Sequence, residues 1–233
     1  MTAFNLKIIA LSAMFIDHIG VAFPEAAPFW FRAIGRLAFP IFAYLLAEGF
    51  RHTRSKEKLL MRLLVFAAIS EIPYDLVMGN TINFAANTNI FYTLFLGGVA
   101  IWLYERLKTR YGWQTLAVLA AILPTVMTAE RLSVDFGSMG VLFIFAMHIV
   151  VLKVPRLIVI GAFALSQFIP LVMAHSLGIE IRWEYLLMIP FALATVPLIA
   201  LYDGERGREM KWLFYVAYPV HLVVLAVILY CFN

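Results

Sequence analysis

An acid and a histidine stand side by side inside an apolar stretch near the start of the chain. The pair is Asp17-His18, and residues 5–23 around it are otherwise almost entirely apolar. An imidazole beside a carboxylate is a natural general base, because the carboxylate can fix its tautomer and stabilise the imidazolium. If this stretch crosses a bilayer, each charged side chain costs roughly 2.5–3.5 kcal/mol to insert. Such groups usually face a protein interior or a wet cavity, so the pair is the first candidate for a reaction centre.

Other charged residues at helical spacing could join this pair. Arg32 and Arg36 are four residues apart in the next apolar segment, and Glu71 and Asp75 are four apart in the following one. Residues at this spacing share a helix face. Two alternatives stay open for Asp17: it pairs with the neighbouring histidine, or it pairs with Arg36 in an ion pair that only fastens two helices. The residues that could converge on one polar pocket are Asp17, His18, Arg36, Glu71 and Asp75.

A basic segment follows the second apolar stretch and has two interpretations. It could be a loop that sets the membrane topology and is attracted to anionic lipid. Alternatively, it could bind the phosphates of a cofactor presented from the cytoplasm, since arginine forks, lysine and hydroxyl groups suit phosphate. The side chains concerned are Arg51, His52, Thr53, Arg54, Lys56 and Arg62.

Three further positions have both a structural and a functional interpretation. Tyr218 and His221 are three residues apart in the last apolar segment and form a polar stripe, which is either a packing seam or one wall of a reaction chamber. Asp135 stands before a helix, where an acid is a suitable cap, or it lines the same chamber. His148 is a single imidazole in an apolar helix and is interpreted as structural. No grouping of His, Asp and Glu has the spacing of a metal site.

Composition indicates the class of fold that must position these residues. The chain is 64% hydrophobic and 14% charged, whereas a soluble domain has about 45–50% and 25%. No soluble fold of this length hides so much apolar surface. We therefore predict one all-α, polytopic membrane domain that covers residues 1–233. The net charge of +4 does not indicate nucleic-acid binding, because the basic residues follow the topology.

Nine apolar segments approach the length of roughly 20 residues that a membrane-spanning helix needs. If the N-terminus is cytoplasmic, most of the 18 Lys and Arg residues fall in the inner connections. The positive-inside rule therefore predicts that the N-terminus is inside and the C-terminus outside. The predicted spans are 5–23, 29–50, 58–78, 89–107, 112–129, 136–153, 155–175, 183–201 and 211–231.

Four segments together resemble the TraX family, which is named for a conjugation-plasmid protein that acetylates the N-terminus of F-type pilin. The first two segments are the most specific, and the match runs in order from one end of the chain to the other. The segments are Leu6–Ala10 continuing to Asp17-His18-Ile19-Gly20, then Ile34–Tyr44 ending at Glu48-Gly49-Phe50, then His52-Thr53-Arg54 with Arg62-Leu63, and finally Phe214-Tyr215 with Tyr218-Pro219 and His221-Leu222.

This resemblance implies a transmembrane acyltransferase. The family is similar to the acyltransferase-3 proteins and to the lysosomal heparan glucosaminide acetyltransferase, so the resemblance implies acetyl-CoA entering from the cytoplasm and an acceptor outside the membrane. His18 then acts as general base, oriented by Asp17, or alternatively forms an acetyl-histidine intermediate. Arg36 holds Asp17 or stabilises the developing oxyanion. The basic segment becomes the site for the CoA phosphates. The chamber-lining residues are Glu71, Asp75, Asp135, Tyr218 and His221.

The expected function is therefore transfer of an acetyl group to an amine or hydroxyl, such as the N-terminus of a pilin-like protein, at the bacterial inner membrane. Two other classes remain open. One is a secondary transporter or a lipid-headgroup handler, with Asp17, His18 and Arg36 as a proton or substrate relay. The other is a non-catalytic assembly partner of a pilus or secretion machine.

Overall fold

The computed structural model describes residues 1–79, 88–111, 114–179, 186 and 188–232. Parts of two predicted spans lie outside these ranges, namely 112–113 of the fifth and 183–185 with 187 of the eighth. Within the described ranges the structure is helical and contains no strand. The prediction of an all-α fold is therefore confirmed.

Twelve helices make up the described part of the chain. They are α1 (Ala3–Ala22), α2 (Trp30–Gly35), α3 (Ala38–His52), α4 (Lys56–Met78), α5 (Ile90–Tyr111), α6 (Gln114–Arg131), α7 (Gly137–Ile149), α8 (Lys153–Ser166), α9 (Ile169–Ser176), α10 (Met188–Leu193), α11 (Thr195–Ala200) and α12 (Lys211–Phe232).

Prolines explain why some predicted spans are two helices. Pro40, Pro155 and Pro197 are each the third residue of a helix, namely α3, α8 and α11. Proline has no N–H and its ring collides with the preceding turn, so it ends a helix that comes before it but fits the first turn of a new one. The predicted span 29–50 is consequently divided into α2 and α3, and 183–201 contains both α10 and α11.

Several of these helices have the length and apolarity that a membrane crossing requires. Among the described residues, five stretches qualify: Ala3–Ala22, Trp30–His52, Ile90–Lys108, Lys153–Ser176 and Trp212–Cys231. Two shorter apolar stretches are Gly137–Ile149 and Met188–Ala200. The count of nine spans and the orientation of the termini stay predictions.

Helix α4 falls outside that group because it carries charged residues along its length, yet its surface suits lipid. Ser70, Glu71 and Asp75 are fully buried. Beyond its first turn, α4 thus buries its acids and exposes apolar side chains, which is the inverse of a soluble helix and is typical of a membrane interior. The exposed apolar side chains of α4 are Met61, Val65, Ile69, Ile72 and Leu76.

The chain forms two compact units that alternate along the sequence. The first unit contains Met1–Phe42, Leu152–Ala217 and Val223–Asn233, and the second contains Ala43–Val151 and Tyr218–Leu222. Helices α3 and α12 therefore contribute residues to both units. The single domain predicted for residues 1–233 stays a prediction.

In the first unit, the short helix α2 packs against α1 and α10, and α8 packs against α10 and α11. A buried apolar cluster joins α2, α8 and α10 and consists of Ala33, Ala164, Phe168, Met188 and Ala192. The start of α1 is fixed by the connection before α12, since the N–H groups of Ala3 and Phe4 donate to the carbonyls of Glu205 and Arg206 at 2.8 and 3.1 Å. The first turn of α1 is thereby held against this connection.

In the second unit, α5 packs against α4, α6 and α7. Gly97 lets α5 approach α7 closely, because a Cβ atom there would lie only 2.6 Å from Cδ1 of Ile144. Small residues at helix contacts are the usual means of close packing in membrane proteins, where lipid is as apolar as the helices themselves.

We expect Gly97→Ala to destabilise the protein by about 1–3 kcal/mol, since an added methyl group overpacks the contact with Ile144. The matched control is Gly161→Ala in α8, where the nearest atom to the new Cβ would be 3.9 Å away. That control should be neutral or slightly stabilising, because alanine is the better helix former. Thermal unfolding of the purified protein in detergent measures both, and equal melting temperatures would contradict the prediction.

Candidate functional site

The acid–histidine pair lies near the end of α1, in the first unit. The Asp17 side chain is only 15% exposed, and His18 is 7% exposed. Both residues lie in a helix that is long and apolar enough to cross a membrane. Both side chains are therefore largely shielded from solvent, as a site that controls proton transfer requires.

Two arginines hold the carboxylate of Asp17. Its Oδ1 atom lies 2.8 Å from Nη1 of Arg32, in α2, and 3.5 Å from Nη2 of Arg36, just after α2. Arg36 also donates from Nε to the carbonyl of Arg32 at 3.3 Å. Pairing of Asp17 with arginine is thus the alternative that the structure shows, with Arg32 as the nearer partner. One carboxylate between two guanidinium groups leaves a net positive charge.

Gly35 makes this arrangement sterically possible. It is the last residue of α2, and a Cβ atom there would lie 2.2 Å from Oδ1 of Asp17. Nothing larger than hydrogen fits between the backbone of α2 and the carboxylate. The glycine in the Gly-Arg segment is therefore required by the close approach of α1 and α2.

In the second unit, an asparagine that the sequence analysis missed binds the buried acid Glu71. Glu71 and Asp75 are both 0% exposed. The backbone N–H of Asn89 donates to Oε2 of Glu71 at 3.2 Å, and its side-chain amide donates to the same carboxylate and, at 2.8 Å, to the carbonyl of Ala67. Its Oδ1 accepts the N–H of Phe91 at 3.0 Å and caps α5. An asparagine directly before an apolar helix is a known N-cap signal and could have identified it.

Tyr218 of α12 lies in the same unit and the same group. It is 3% exposed. Its ring meets Phe91 edge to face at 5.0 Å between centroids, and the His221 ring at 5.4 Å. Its electrostatic neighbours include Asp135 and Glu71. The predicted chamber-lining residues of the second unit thus lie together, and their chemical role stays a prediction.

The turn before α7 is built differently from the expected aspartate cap. Phe136 is the N-cap, with a left-handed φ of 61°, and Glu130 accepts the N–H of Ser138 at 2.9 Å. The backbone of Asp135 is held instead, because its N–H donates to the carbonyl of Thr88 at 3.0 Å. A non-glycine residue in this conformation costs of order 1–3 kcal/mol and is typical of functional sites.

Arg51, predicted as a phosphate ligand, is engaged within the protein. Its guanidinium pairs with Glu48 one turn earlier on α3. It also donates to the carbonyls of Met147, at 2.9 Å, and His148, which are among the last of α7. These carbonyls have no partner inside their own helix, so the arginine completes the end of α7.

Lys56 is engaged as well. Its ammonium pairs with Glu105 of α5, and Nε2 of His148 lies 3.2 Å from the other oxygen of that carboxylate. The side chain of His148 is only 9% exposed. This arrangement supports the structural interpretation of His148 and assigns Lys56 to the same network.

The remaining residues of the basic segment are more open. Arg54 and His52 are exposed, whereas Thr53 and Arg62 are half-buried. The backbone N–H of Thr53 donates to the carbonyl of Gly49 at 2.9 Å and ends α3. The six predicted phosphate ligands thus fall into an internally paired set and an accessible set. In the described part of the chain, no group of His, Cys, Asp and Glu is arranged to hold a metal ion.

We expect Gly35→Ala to separate the carboxylate of Asp17 from its arginines and to destabilise the protein by about 2 kcal/mol or more, through overpacking and a weakened buried ion pair. Gly49→Ala is the matched control, since a Cβ atom at this α3 position would have no neighbour within 4 Å. Thermal unfolding in detergent compares the two variants. A Gly35→Ala protein as stable as Gly49→Ala would show that Asp17 is not tightly confined.

We expect Arg51→Ala to cost about 3 kcal/mol, because it leaves Glu48 unpaired and strips two carbonyls of their donor. Arg54→Ala removes the same charge from an exposed position three residues away and should leave the melting temperature within about a degree. The reverse order of effects would mean that Arg51 does not support the fold.

Comparison with known proteins agrees with the resemblance found in the sequence. The model of the family described as TraX protein matches residues 3–229. The chain is also similar to the probable fimbrial assembly protein FimC, serogroup H1, of Dichelobacter nodosus, with 28% identity over 240 residues that cover 96% of this chain and 94% of that protein. No solved structure matches the chain. Because the family match covers nearly the whole sequence, the chain belongs to the TraX family.

Proposed function

We propose that the protein is a membrane-embedded acetyltransferase that transfers an acetyl group from cytoplasmic acetyl-CoA to an acceptor outside the cytoplasm. The observation that carries the proposal is a buried histidine beside a carboxylate that two arginines hold, all within two stretches long and apolar enough to cross a membrane, Ala3–Ala22 and Trp30–His52. Membership of a family associated with pilin acetylation supports the same chemistry. A structural ion pair alone would not require a buried imidazole next to it.

His18 acts as general base in this proposal. It takes the proton from the nitrogen or oxygen of the acceptor while that atom bonds to the carbonyl carbon of the thioester. When the carbon–sulfur bond breaks, the imidazolium returns the proton to the leaving sulfur. Asp17, fixed by its arginines, keeps the end of α1 and hence the imidazole in one position. The surplus positive charge of Arg32 and Arg36 favours negative charge on the carbonyl oxygen.

The donor's phosphates bind to accessible cations of the second unit. Arg54 and Lys58 are exposed and make no ion pair with another described residue, and His52 is exposed as well. Arg51 and Lys56 keep their internal partners and maintain the shape of the segment. The chemistry of the accessible set fits a polyphosphate, because guanidinium and ammonium groups both bind phosphate well.

The acceptor is a subunit of a pilus or fimbria that presents an amine or a hydroxyl. This part of the proposal rests on the family and on the printed name of the Dichelobacter relative, a fimbrial assembly protein. The proposal also includes a position in the bacterial inner membrane, with several membrane crossings and the cytoplasmic N-terminus that the distribution of Lys and Arg predicts. The same printed name also favours a second candidate, a non-catalytic assembly partner.

We expect His18→Ala to retain acetyl-CoA binding and to lose slow thioester hydrolysis by a factor of about 10²–10⁴, the usual contribution of a general base. The measurement is calorimetric binding and thiol release with purified protein in detergent. His175→Ala removes an exposed histidine of α9 in the same unit and should leave both properties unchanged.

Two results would count against this assignment. If wild type binds no acetyl-CoA, the proposed enzyme activity is wrong. If wild type binds acetyl-CoA and His18→Ala hydrolyses it as well as wild type does, the histidine is not the base. If the His18→Ala protein inserts into the membrane normally and fimbriae assemble with it as they do with wild type, the second candidate is favoured, a non-catalytic assembly partner.

A further inference from the structure

A half-buried tryptophan forms a group with an exposed arginine and an exposed glutamate where α4 begins and α5 approaches its end, which we call the Trp102 group. Trp102 and Arg106 are four residues apart on α5, and the guanidinium carbon of Arg106 lies 4.2 Å from the centre of the indole ring. Oε1 of Glu57, in the first turn of α4, accepts the indole N–H at 2.9 Å and Nη2 of Arg106 at 3.2 Å. One carboxylate oxygen thus holds both the ring and the guanidinium.

The exposure of this group argues against a purely structural role. The side chains of Arg106 and Glu57 are 64% and 58% exposed, whereas those of Lys56 and Glu105, which join the same two helices, are 30% and 27% exposed. Ion pairs as open as that between Arg106 and Glu57 contribute little to stability. The more buried Lys56 pair already fastens α4 to α5, so folding alone does not explain the second, open arrangement.

The charge on Glu57 keeps the group organised. The hydrogen bond from the Trp102 indole lowers the pKa of Glu57 below its ordinary value, and Arg106 acts in the same direction. The carboxylate therefore remains ionised at neutral pH and retains both of its donors. A guanidinium that is stacked and hydrogen-bonded in advance loses little conformational freedom when a ligand lies against it.

Two exposed cations stand close to Glu57 in the chain. Arg54 and Lys58 flank it, are exposed, and make no ion pair with another described residue. The combination is an aromatic ring, an exposed guanidinium group stacked on it and accessible positive charge. Purine bases stack on aromatic rings and on arginine planes, and phosphates bind to arginine and lysine.

We propose that the Trp102 group is the stacking platform for the adenine base of the acyl donor, with Arg54 and Lys58 binding the phosphates of its adenosine moiety. The inference rests on the proposed function, since it assigns a position to the nucleotide end of CoA. It makes Arg106 and Trp102 binding residues and Glu57 a positioning residue. The pantetheine arm is bound elsewhere and does not touch the platform.

The test compares two ligands that share the pantetheine arm. Calorimetric titration of the full-length protein in detergent uses CoA and 4′-phosphopantetheine, which lacks the nucleotide. Arg106→Ala should weaken CoA binding about tenfold, the usual range for one stacking contact, and leave 4′-phosphopantetheine binding unchanged. Trp102→Phe keeps an aromatic face and should lose only about two- to threefold. Arg206→Ala, an exposed arginine 3.3 Å from Glu209 in the first unit, is the matched control and should bind CoA as wild type does.

The outcomes separate this inference from the proposed function. If wild type binds CoA and Arg106→Ala binds it equally well, the platform is wrong and the acetyltransferase proposal stands. If Arg106→Ala weakens the binding of CoA and of 4′-phosphopantetheine equally, or lowers the melting temperature by several degrees, the group only connects α4 to α5 and the inference is wrong. If wild type does not bind CoA, the proposed function fails and the platform fails with it.

Discussion

The ion pair of Asp17 with two guanidinium groups is the interaction on which the first unit depends. A carboxylate without partners in an apolar helix would carry a large desolvation penalty, and removing one partner of a buried pair typically costs 3–5 kcal/mol. Arg32 and Arg36, at 2.8 and 3.5 Å, offset part of that penalty. Because both arginines belong to the α2 region, the pair also determines where α2 lies against α1. The position of His18 follows from that of its neighbour.

In the second unit, buried and half-buried carboxylates are stabilised in two ways. At the end where α3, α5 and α7 finish, each acid has a basic partner: Glu48 has Arg51, and Glu105 has Lys56. Within α4, by contrast, Glu71 accepts hydrogen bonds from the neutral amide of Asn89. Both kinds of donor stabilise the carboxylate form of an acid, but only a cation also balances its charge. Glu48 and Glu105 are therefore charge-paired, whereas Glu71 is held by hydrogen bonds from a neutral group.

Much of the architecture follows from simple patterns in the sequence. Apolar composition predicted the all-α class, and the segments around Asp17, Gly35 and Tyr218 were enough to indicate the family. The spacing of Arg32 and Arg36 placed both on one side of their segment. Spacing within one helix cannot say which neighbouring helix faces it, so the nearer partner of Asp17 emerged only from the structure.

The basic segment shows the same limit, because the sequence does not say which neighbouring helices supply partners for its cations. From the sequence alone, Arg51, Arg54 and Lys56 are equivalent candidates for binding phosphate. In the structure, Arg51 donates to a carbonyl of α7 and Lys56 pairs with an acid of α5, so these two side chains are already engaged. Asn89 was missed for a related reason. Its role combines a local cap, which sequence can predict, with a contact to α4 eighteen residues earlier, which sequence cannot.

The division of α12 between the two units has a consequence for biosynthesis. The second unit is nearly complete in the chain at Val151, yet it also contains Tyr218–Leu222, roughly one helical turn. A ribosome must therefore produce all of residues 152–217 before Tyr218 can pack against Phe91. Until then, the buried group around Glu71 lacks the side chain of Tyr218. A nascent or truncated chain that stops short of α12 would thus lack the contact of Tyr218 with Phe91 and could not complete the second unit.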